Sequence, residues 1–333
     1  MDKALTISVA MCTCNGEVYL REQLESILAQ TVLPNELIVF DDASTDGTVA
    51  LLESFRKPSP FPITIIVNKS RVGVCKNFEN AVGYCSGDII FLADQDDIWL
   101  PAKIETIMAV FAGNPLCGYV FSNAELIDEQ GNDIGMDLWT SIAFDKKQQA
   151  QYSIDQLSVM VKRVYLVTGM TMAFRAIFKP KVMPFESSSY HTLLHDAWIS
   201  LLLTSIGAPG IPVSSSLVKY RQHAKQLLSA GKPLGFAELV AIKRSGRTKQ
   251  DLELAESLAL LEMRLQRLGP QSESILRARK QLIEKATHIR ARAHANSSHG
   301  FQRFKAVFLE AVSGRYGLYS RSFKSIVKDL VSN

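Results

Sequence analysis

The chain has 333 residues, 47% hydrophobic and 21% charged. That suits one large domain or two modest ones and excludes a disordered or low-complexity chain. No apolar run reaches the roughly 18 residues a bilayer-spanning helix needs. The net charge of +4 hides an asymmetry: residues 1–217 hold 15 Lys and Arg against 24 Asp and Glu, and residues 218–333 hold 22 against 9. An acidic front half points to metal or polar-substrate chemistry, and a basic back half to an anionic surface such as phospholipid, lipid diphosphate or nucleic acid. The opening MDKALTISVAMCTCNG is too short and poorly flanked in its apolar part for a signal peptide. Five cysteines, an odd number, read as reduced thiols. Cys12 and Cys14 lack a second pair at zinc spacing and read as packing.

In chain order, TISVAMC (6–12) predicts a strand and 19–30 a helix with Leu20, Leu24, Ile27 and Leu28 on one face. ELIVFD (36–41) predicts a second strand, followed by a helix that Ser44, Thr45 or Asp46 can cap. ITIIVN (63–68) is a third strand, 74–85 a helix, and DIIFLA (88–93) a fourth strand. KIETIMAVFAG (103–113) reads as helix and GYVFSN (118–123) as strand. The middle is less regular: VYLVTGMTMAF (164–174) reads as one more strand, and 187–207 opens polar and becomes helical. Residues 236–295 predict long charged helices. Near-continuous apolar strands alternating with helices predict a parallel α/β sheet covered on both faces.

Ligands of such sheets bind beyond the carboxyl ends of the strands. The polar residues gather there: Thr13 and Asn15 after the first strand, Asp41 and Asp42 after the second, Lys69 and Arg71 after the third, and Asp94, Asp96 and Asp97 after the fourth. Loops are polar in any protein, but clustered carboxylates repel one another. A divalent cation relieves that repulsion, and hard ions such as Mg2+ or Mn2+ share coordination between carboxylates and substrate phosphates. Asp94-x-Asp96 at a strand end therefore suggests a metal–diphosphate site. Asp41 and Asp42 could hold a nucleoside, and Arg71 and Lys76 the phosphates. No P-loop and no GxGxxG after a strand is present.

ISVAMCTCNGEVYLREQLESILAQT, ELIVFDDASTDGT, NKSRVGVCKNFENAVGYCSGDIIFLADQDDIWLP and the later HDAW together resemble family 2 glycosyltransferases of the GT-A fold. LADQDDIW with HDAW and YRQH is similar to the branch described as bacterial rhamnosyltransferases. The resemblance covers about residues 5–200, most densely the first 110 or so. It implies a Rossmann-like mixed sheet, a GT-A catalytic domain over 1–225 and a helical, basic C-terminal region over 226–333. It further implies that Asp42 binds the pyrimidine base with Asp41 in support, that Asp94 and Asp96 are the DXD pair with Asp96 the more direct metal ligand, and that Asp196 is the general base. The loop holding Arg221 and His223 would close over the diphosphate, Arg221 toward the donor and His223 toward the metal. Where the family often has tyrosine in TYNG, able to stack on the base, this chain has Cys14.

The implied reaction is inverting transfer of a sugar, rhamnose or similar, from a dTDP- or UDP-linked donor to a hydroxyl of a growing surface polysaccharide or lipid-linked saccharide. It would be assisted by Mg2+ or Mn2+ in the cytoplasm, with a peripheral position at the inner face of the cell membrane. Asp196 could instead cap the helix AWISLLL. His191 and His195, four apart, lack the glutamate of an HExxH zinc helix, and His195 is expected to orient Asp196 or touch acceptor. The tail HGFQRFKAVFLEAVSGRYGLYSRSFKSIVKDLVSN suits an anionic membrane surface or a packed helix with a solvated basic face. A sugar-phosphate nucleotidyltransferase would want a glycine-rich basic loop after strand one, which CTCNGEVYL does not offer. A non-catalytic nucleotide-sugar-binding protein remains the other alternative, and no aromatic-basic sheet signature points to nucleic acid.

Overall fold

The computed structural model describes residues 4–186, 193–224, 247–268, 272–320 and 323–331. Its elements, in order, begin with β1 (Ile7–Thr13), α1 (Leu20–Leu28), β2 (Glu36–Asp41), α2 (Thr48–Arg56), β3 (Ile63–Val67), α3 (Val74–Tyr84) and β4 (Ile89–Ala93). There follow β5 (Ile98–Trp99), α4 (Lys103–Gly113), β6 (Tyr119–Ile127), β7 (Asp133–Asp137), α5 (Leu138–Ser141), α6 (Lys146–Ile154) and α7 (Gln156–Lys162). Then come β8 (Met172–Arg175), α8 (Lys179–Val182), α9 (His195–Ser205) and β9 (Gly210–Arg221). The C-terminal helices are α10 (Arg247–Arg267), α11 (Glu273–Ser297), α12 (Gly300–Val312), α13 (Arg315–Tyr319) and α14 (Phe323–Val331).

The strands form one sheet in the order β3-β2-β1-β4-β8-β6-β9-β5, with β7 added at β6. The first four run parallel, as the apolar runs imply. The sheet is not parallel throughout: β8 is antiparallel to both β4 and β6, and β9 pairs parallel with β6. This is the mixed sheet that the resemblance implies rather than the wholly parallel one that alternation alone predicts. Segment 164–174 also differs. Only Met172–Arg175 pairs as a strand, while Val164, Leu166 and Val167 are buried from an irregular turn. An apolar run reports burial, and here its first half is buried without entering a ladder.

Every residue of β1 and β4 is buried, because helices cover both faces of the parallel half. Ile89, Ile90, Phe91 and Leu92 are fully buried, each contributing roughly 1.5–3 kcal/mol over an exposed side chain. Helices α10 and α11 share this core through Leu258, Leu261, Leu265, Ala278 and Leu282, so the C-terminal helices pack on the sheet domain. All five cysteines are free thiols, four of them buried.

Candidate functional site

The ends of β1 and β2 are tied together by hydrogen bonds. Thr13 Oγ1 donates to Asp41 Oδ2 at 2.8 Å, and Ser44 donates to Asp41 through its N–H (2.8 Å) and its hydroxyl (2.5 Å). Asn15 sits at φ +50°, a left-handed conformation that Asn tolerates better than most residues, and its Oδ1 accepts from Thr45 N–H at 2.8 Å. Asp42 Oδ1 accepts from Val72 N–H (2.7 Å) and Asn68 Nδ2 (3.0 Å), and Oδ2 accepts from Gly73 N–H (2.9 Å). Gly73 has φ +83°, open to glycine and strained for other residues. Asp42 thus clamps the loop that carries Arg71. Oδ1 has both lone pairs engaged and Oδ2 has one left, so a base contact would add to these bonds at Oδ2.

The acidic block closes the other side of the crevice. Gln95 bridges it to the end of β1, accepting from Cys14 N–H at 2.8 Å and donating to Cys14 C=O at 3.2 Å. Gln23 of α1 donates to Asp94 C=O at 2.9 Å. Burial, then the charges of Asp96 and Asp196, push the Asp94 carboxyl well above the usual range, with Lys103 opposing. Asp97 is fully buried and raised for the same reasons, burial first and then Asp96 and Asp94. Its Oδ1 accepts from Arg221 N–H at 3.2 Å, while Oδ2 has no hydrogen-bond partner among the described residues. Lys103 is buried beneath the block with its ammonium 3.6 Å from the centre of the Trp99 ring, donating to Met170 C=O. Burial lowers its pKa against the pull of Asp97 and Asp94.

The end of β9 returns to this block. His223 Nε2 and Asp96 Oδ2 form a hydrogen bond of 2.8 Å. Arg221 is almost wholly buried. It donates to Asp96 C=O at 3.0 Å, to Glu129 C=O at 3.2 Å and to Glu22 Oε2 at 2.9 Å. Both the Arg221 guanidinium and the His223 ring pack on Tyr19.

Asp196 lies inside the first turn of α9 rather than at its cap, which is Leu194. Its Oδ2 accepts from Gly169 N–H at 2.8 Å and Oδ1 from Ala197 N–H at 2.7 Å. These bonds fix a nearly buried carboxylate facing the same crevice as Asp94, whose ionisation it perturbs. His195 does not hydrogen-bond to it. The ring is buried, stacks on Phe78 at 3.8 Å, and neither nitrogen has a partner among the described residues; burial lowers its pKa although Asp196 pulls upward. His191 lies outside the described residues.

Of the residues singled out from the sequence, Thr13, Asn15, Asp41, Asp42, Asp94, Asp96, Asp196 and His223 come together around the crevice. Arg71 is exposed at its mouth, close enough for its charge to act on Cys14. Lys76 pairs instead with Glu79 on its own helix, and Arg221 braces the Asp96 backbone from below. Sequence reading missed Tyr19, Glu22, Gln95 and Lys103. The one available signal for Glu22 was a carboxylate in the first turn of a helix following a strand-end loop.

Among the described residues no three His, Cys, Asp or Glu side chains form a ready-made metal cage. Asp94 and Asp97 nevertheless act on the buried Lys103, and Asp96 meets the His223 imidazole. Asp96 and His223, side by side, would supply an oxygen and a nitrogen ligand, and diphosphate oxygens would supply the rest. The residues present fit a divalent cation bound together with its substrate.

The fold is that of the GT-A glycosyltransferases. Staphylococcus aureus TarS 1–349 in complex with UDP-GlcNAc superposes with a TM-score of 0.58 at 14% identity, over 98% of this chain and 88% of that one. The mannosyltransferase PcManGT of Pyrobaculum calidifontis, solved with GDP-Man and Mn2+, gives 0.53 at 18% identity over 100% and 89%. The family model "Glycosyl transferase family 2" matches residues 8–179, just over half the chain, which therefore belongs to that family and is a glycosyltransferase. An uncharacterized glycosyltransferase of Haemophilus influenzae is 27% identical over 79% of this chain and 81% of its own length. A dTDP-rhamnosyl transferase of Shigella flexneri, RfbG, is 36% identical over 34% of this chain and 38% of its own. A beta-1,3-glucosyltransferase of Escherichia coli, WfgD, named for UDP-Glc and a diphosphoundecaprenol-linked GlcNAc, is 30% identical over 37% and 47%.

Proposed function

We propose that this glycosyltransferase is an inverting, divalent-cation-assisted enzyme. It moves a hexosyl unit, rhamnose or a similar sugar, from a dTDP- or UDP-linked donor to a hydroxyl of a growing surface polysaccharide or lipid-linked saccharide at the inner face of the cell membrane. The observation that carries this is the convergence of Asp94 and Asp96 from the end of β4 with Asp196 from the start of α9, close enough for Asp196 to perturb Asp94. The names of the Shigella and Escherichia relatives support the donor and acceptor classes.

Each residue then has a task. Thr13, Asn15, Asp41 and Asp42 build and hold the nucleoside side of the crevice, with Arg71 at its mouth for phosphate. A cation held by Asp96, His223 and diphosphate oxygens, with Asp94 behind, would supply charge neutralisation for the leaving nucleoside diphosphate. Arg221 holds the Asp96 backbone in place. Asp196 accepts the proton of the attacking hydroxyl on the face opposite the leaving group. Its two backbone N–H bonds, from Gly169 and Ala197, hold it aimed at the crevice.

The test is Asp196→Asn, which keeps the shape and removes the base. Turnover is expected to fall by about 10²–10⁴ while Mn2+-dependent donor binding, followed by calorimetry, survives. Unchanged turnover removes Asp196 from the role of base; loss of donor binding with turnover would place it in the donor site instead.

A further inference from the structure

The last helices turn a second, apolar face outward. On α12 Arg303, Val307 and Glu310 are buried, while Phe301, Phe304, Phe308 and Val312 are exposed, Phe301 by 77% and Val312 by 70%. Their spacing of three, four and four places them on one helical face, and the Phe304 and Phe308 rings stack at 6.2 Å. On α14 Ser325 and Asp329 are buried, while Phe323, Val327 and Val331, again four apart, are exposed. All four exposed phenylalanines of the described residues lie on these two helices. A water-facing helix in a soluble domain carries polar residues on such an outer face.

The charges are sorted as well. Residues 285–333 contain nine Lys and Arg and only two carboxylates, Glu310 and Asp329. Both carboxylates are buried and neutralised, Glu310 by Arg315 and Asp329 by Arg292 at 2.6 Å. Lys305 and Lys324 point outward beside the phenylalanines. An open cleft of about 560 Å³ at the foot of this face is lined by His294, Gln302, Lys305, Leu309, Glu310 and Arg315, with room and cations for an anionic headgroup.

We infer that the outer faces of α12 and α14 form a docking surface for an anionic phospholipid bilayer. The phenylalanines and valines enter the headgroup–acyl boundary, and the lysines meet lipid phosphate. Among the described residues no helix is long and apolar enough to cross a membrane, so the surface lies on the bilayer. The inference stands on this geometry and does not depend on the assignment of donor or base.

The test is co-sedimentation of the full chain with vesicles of phosphatidylcholine alone and of phosphatidylcholine and phosphatidylglycerol in equal amounts. The wild type is expected to sediment with the mixed vesicles only, and less so as salt rises. Phe301→Ser combined with Phe304→Ser and Phe308→Ser is expected to weaken binding by at least about tenfold, with melting temperature and donor-induced stabilisation unchanged. Lys305→Glu with Lys324→Glu is expected to abolish the preference for the anionic lipid. Wild type that stays in the supernatant with both vesicles, or a triple variant that sediments as wild type does, overturns the inference. So does a wild-type dimer in sedimentation velocity, lost in the triple variant and without vesicle binding, which would make the face an interface between copies of the chain.

Discussion

Nε2 of His223 lies 2.8 Å from Oδ2 of Asp96, which pins the chain leaving β9 to the acidic end of β4. The contact holds together two groups that the proposed mechanism assigns to one cation. Asp96→Asn keeps a hydrogen-bonding oxygen for His223 but removes the charge. It is expected to cut kcat/KM by about 10²–10³ and to remove the Mn2+ dependence of donor binding in a thermal-shift titration. His223→Ala removes the proposed nitrogen ligand and is expected to weaken cation affinity by roughly ten- to a hundredfold. If Asp96→Asn bound donor with unaltered Mn2+ dependence, the cation would have to sit elsewhere.

In the proposed donor site Asp42 acts through the backbone. With Val72 and Gly73 N–H groups and the Asn68 amide on its two oxygens, Asp42→Ala releases the loop that presents Arg71 and strands those donors. The KM for donor is expected to rise about tenfold or more, the cost of roughly one or two hydrogen bonds to a charged group, with kcat changed less. Steady-state kinetics with varied donor separate the two, and a fall confined to kcat would argue that Asp42 acts on the chemical step.

The parallel half of the fold was legible because its strands are buried on both faces and read as unbroken apolar runs, as Ile89–Ala93 does. The acids at the strand ends were legible for a complementary reason: repulsion has to be offset by something. What stayed hidden depends on partners far along the chain. Gln95 matters through Cys14, 81 residues away, and the guanidinium of Arg221 is turned inward by Glu22, 199 residues away. Lys103 reads as an ordinary first-turn lysine, and only packing shows it buried against Trp99. Val164–Thr168 is apolar enough for a strand, yet pairing is decided by neighbours that the segment itself does not name.

Gly210 begins β9 where the ring of Tyr119 crosses it. A Cβ at 210 would lie 2.2 Å from Tyr119 Cζ. That ring cannot swing away, because its hydroxyl is bonded to Thr204 at 2.8 Å and Tyr152 at 3.0 Å within the core. Gly210→Ala is expected to destabilise the protein by about 1–3 kcal/mol, the usual cost of overpacking a core. Denaturant unfolding measures this, and a variant as stable as wild type would mean that β9 shifts freely against β6.

His288 gives the C-terminal helices a pH dependence of their own. Its ring is buried between Glu310, 2.6 Å from Nδ1, and Ser320, 2.6 Å from Nε2. Burial lowers its pKa from 6.5 to about 4, with Arg292 and Lys285 pushing the same way and Glu310 opposing. The folded protein therefore holds His288 neutral where the unfolded chain would protonate it. A depressed pKa means that the unfolded state binds the extra proton, so stability is intact above about 6.5 and is lost as pH falls toward about 4. The loss attributable to this group is at most about 3–4 kcal/mol, at 1.36 kcal/mol per pKa unit. His288→Gln, which cannot titrate, is expected to be less stable than wild type at neutral pH and to lose less of its stability between pH 7 and 4. Melting temperatures of the two proteins across that window provide the comparison, and parallel curves would show that acid acts on the helices through other groups.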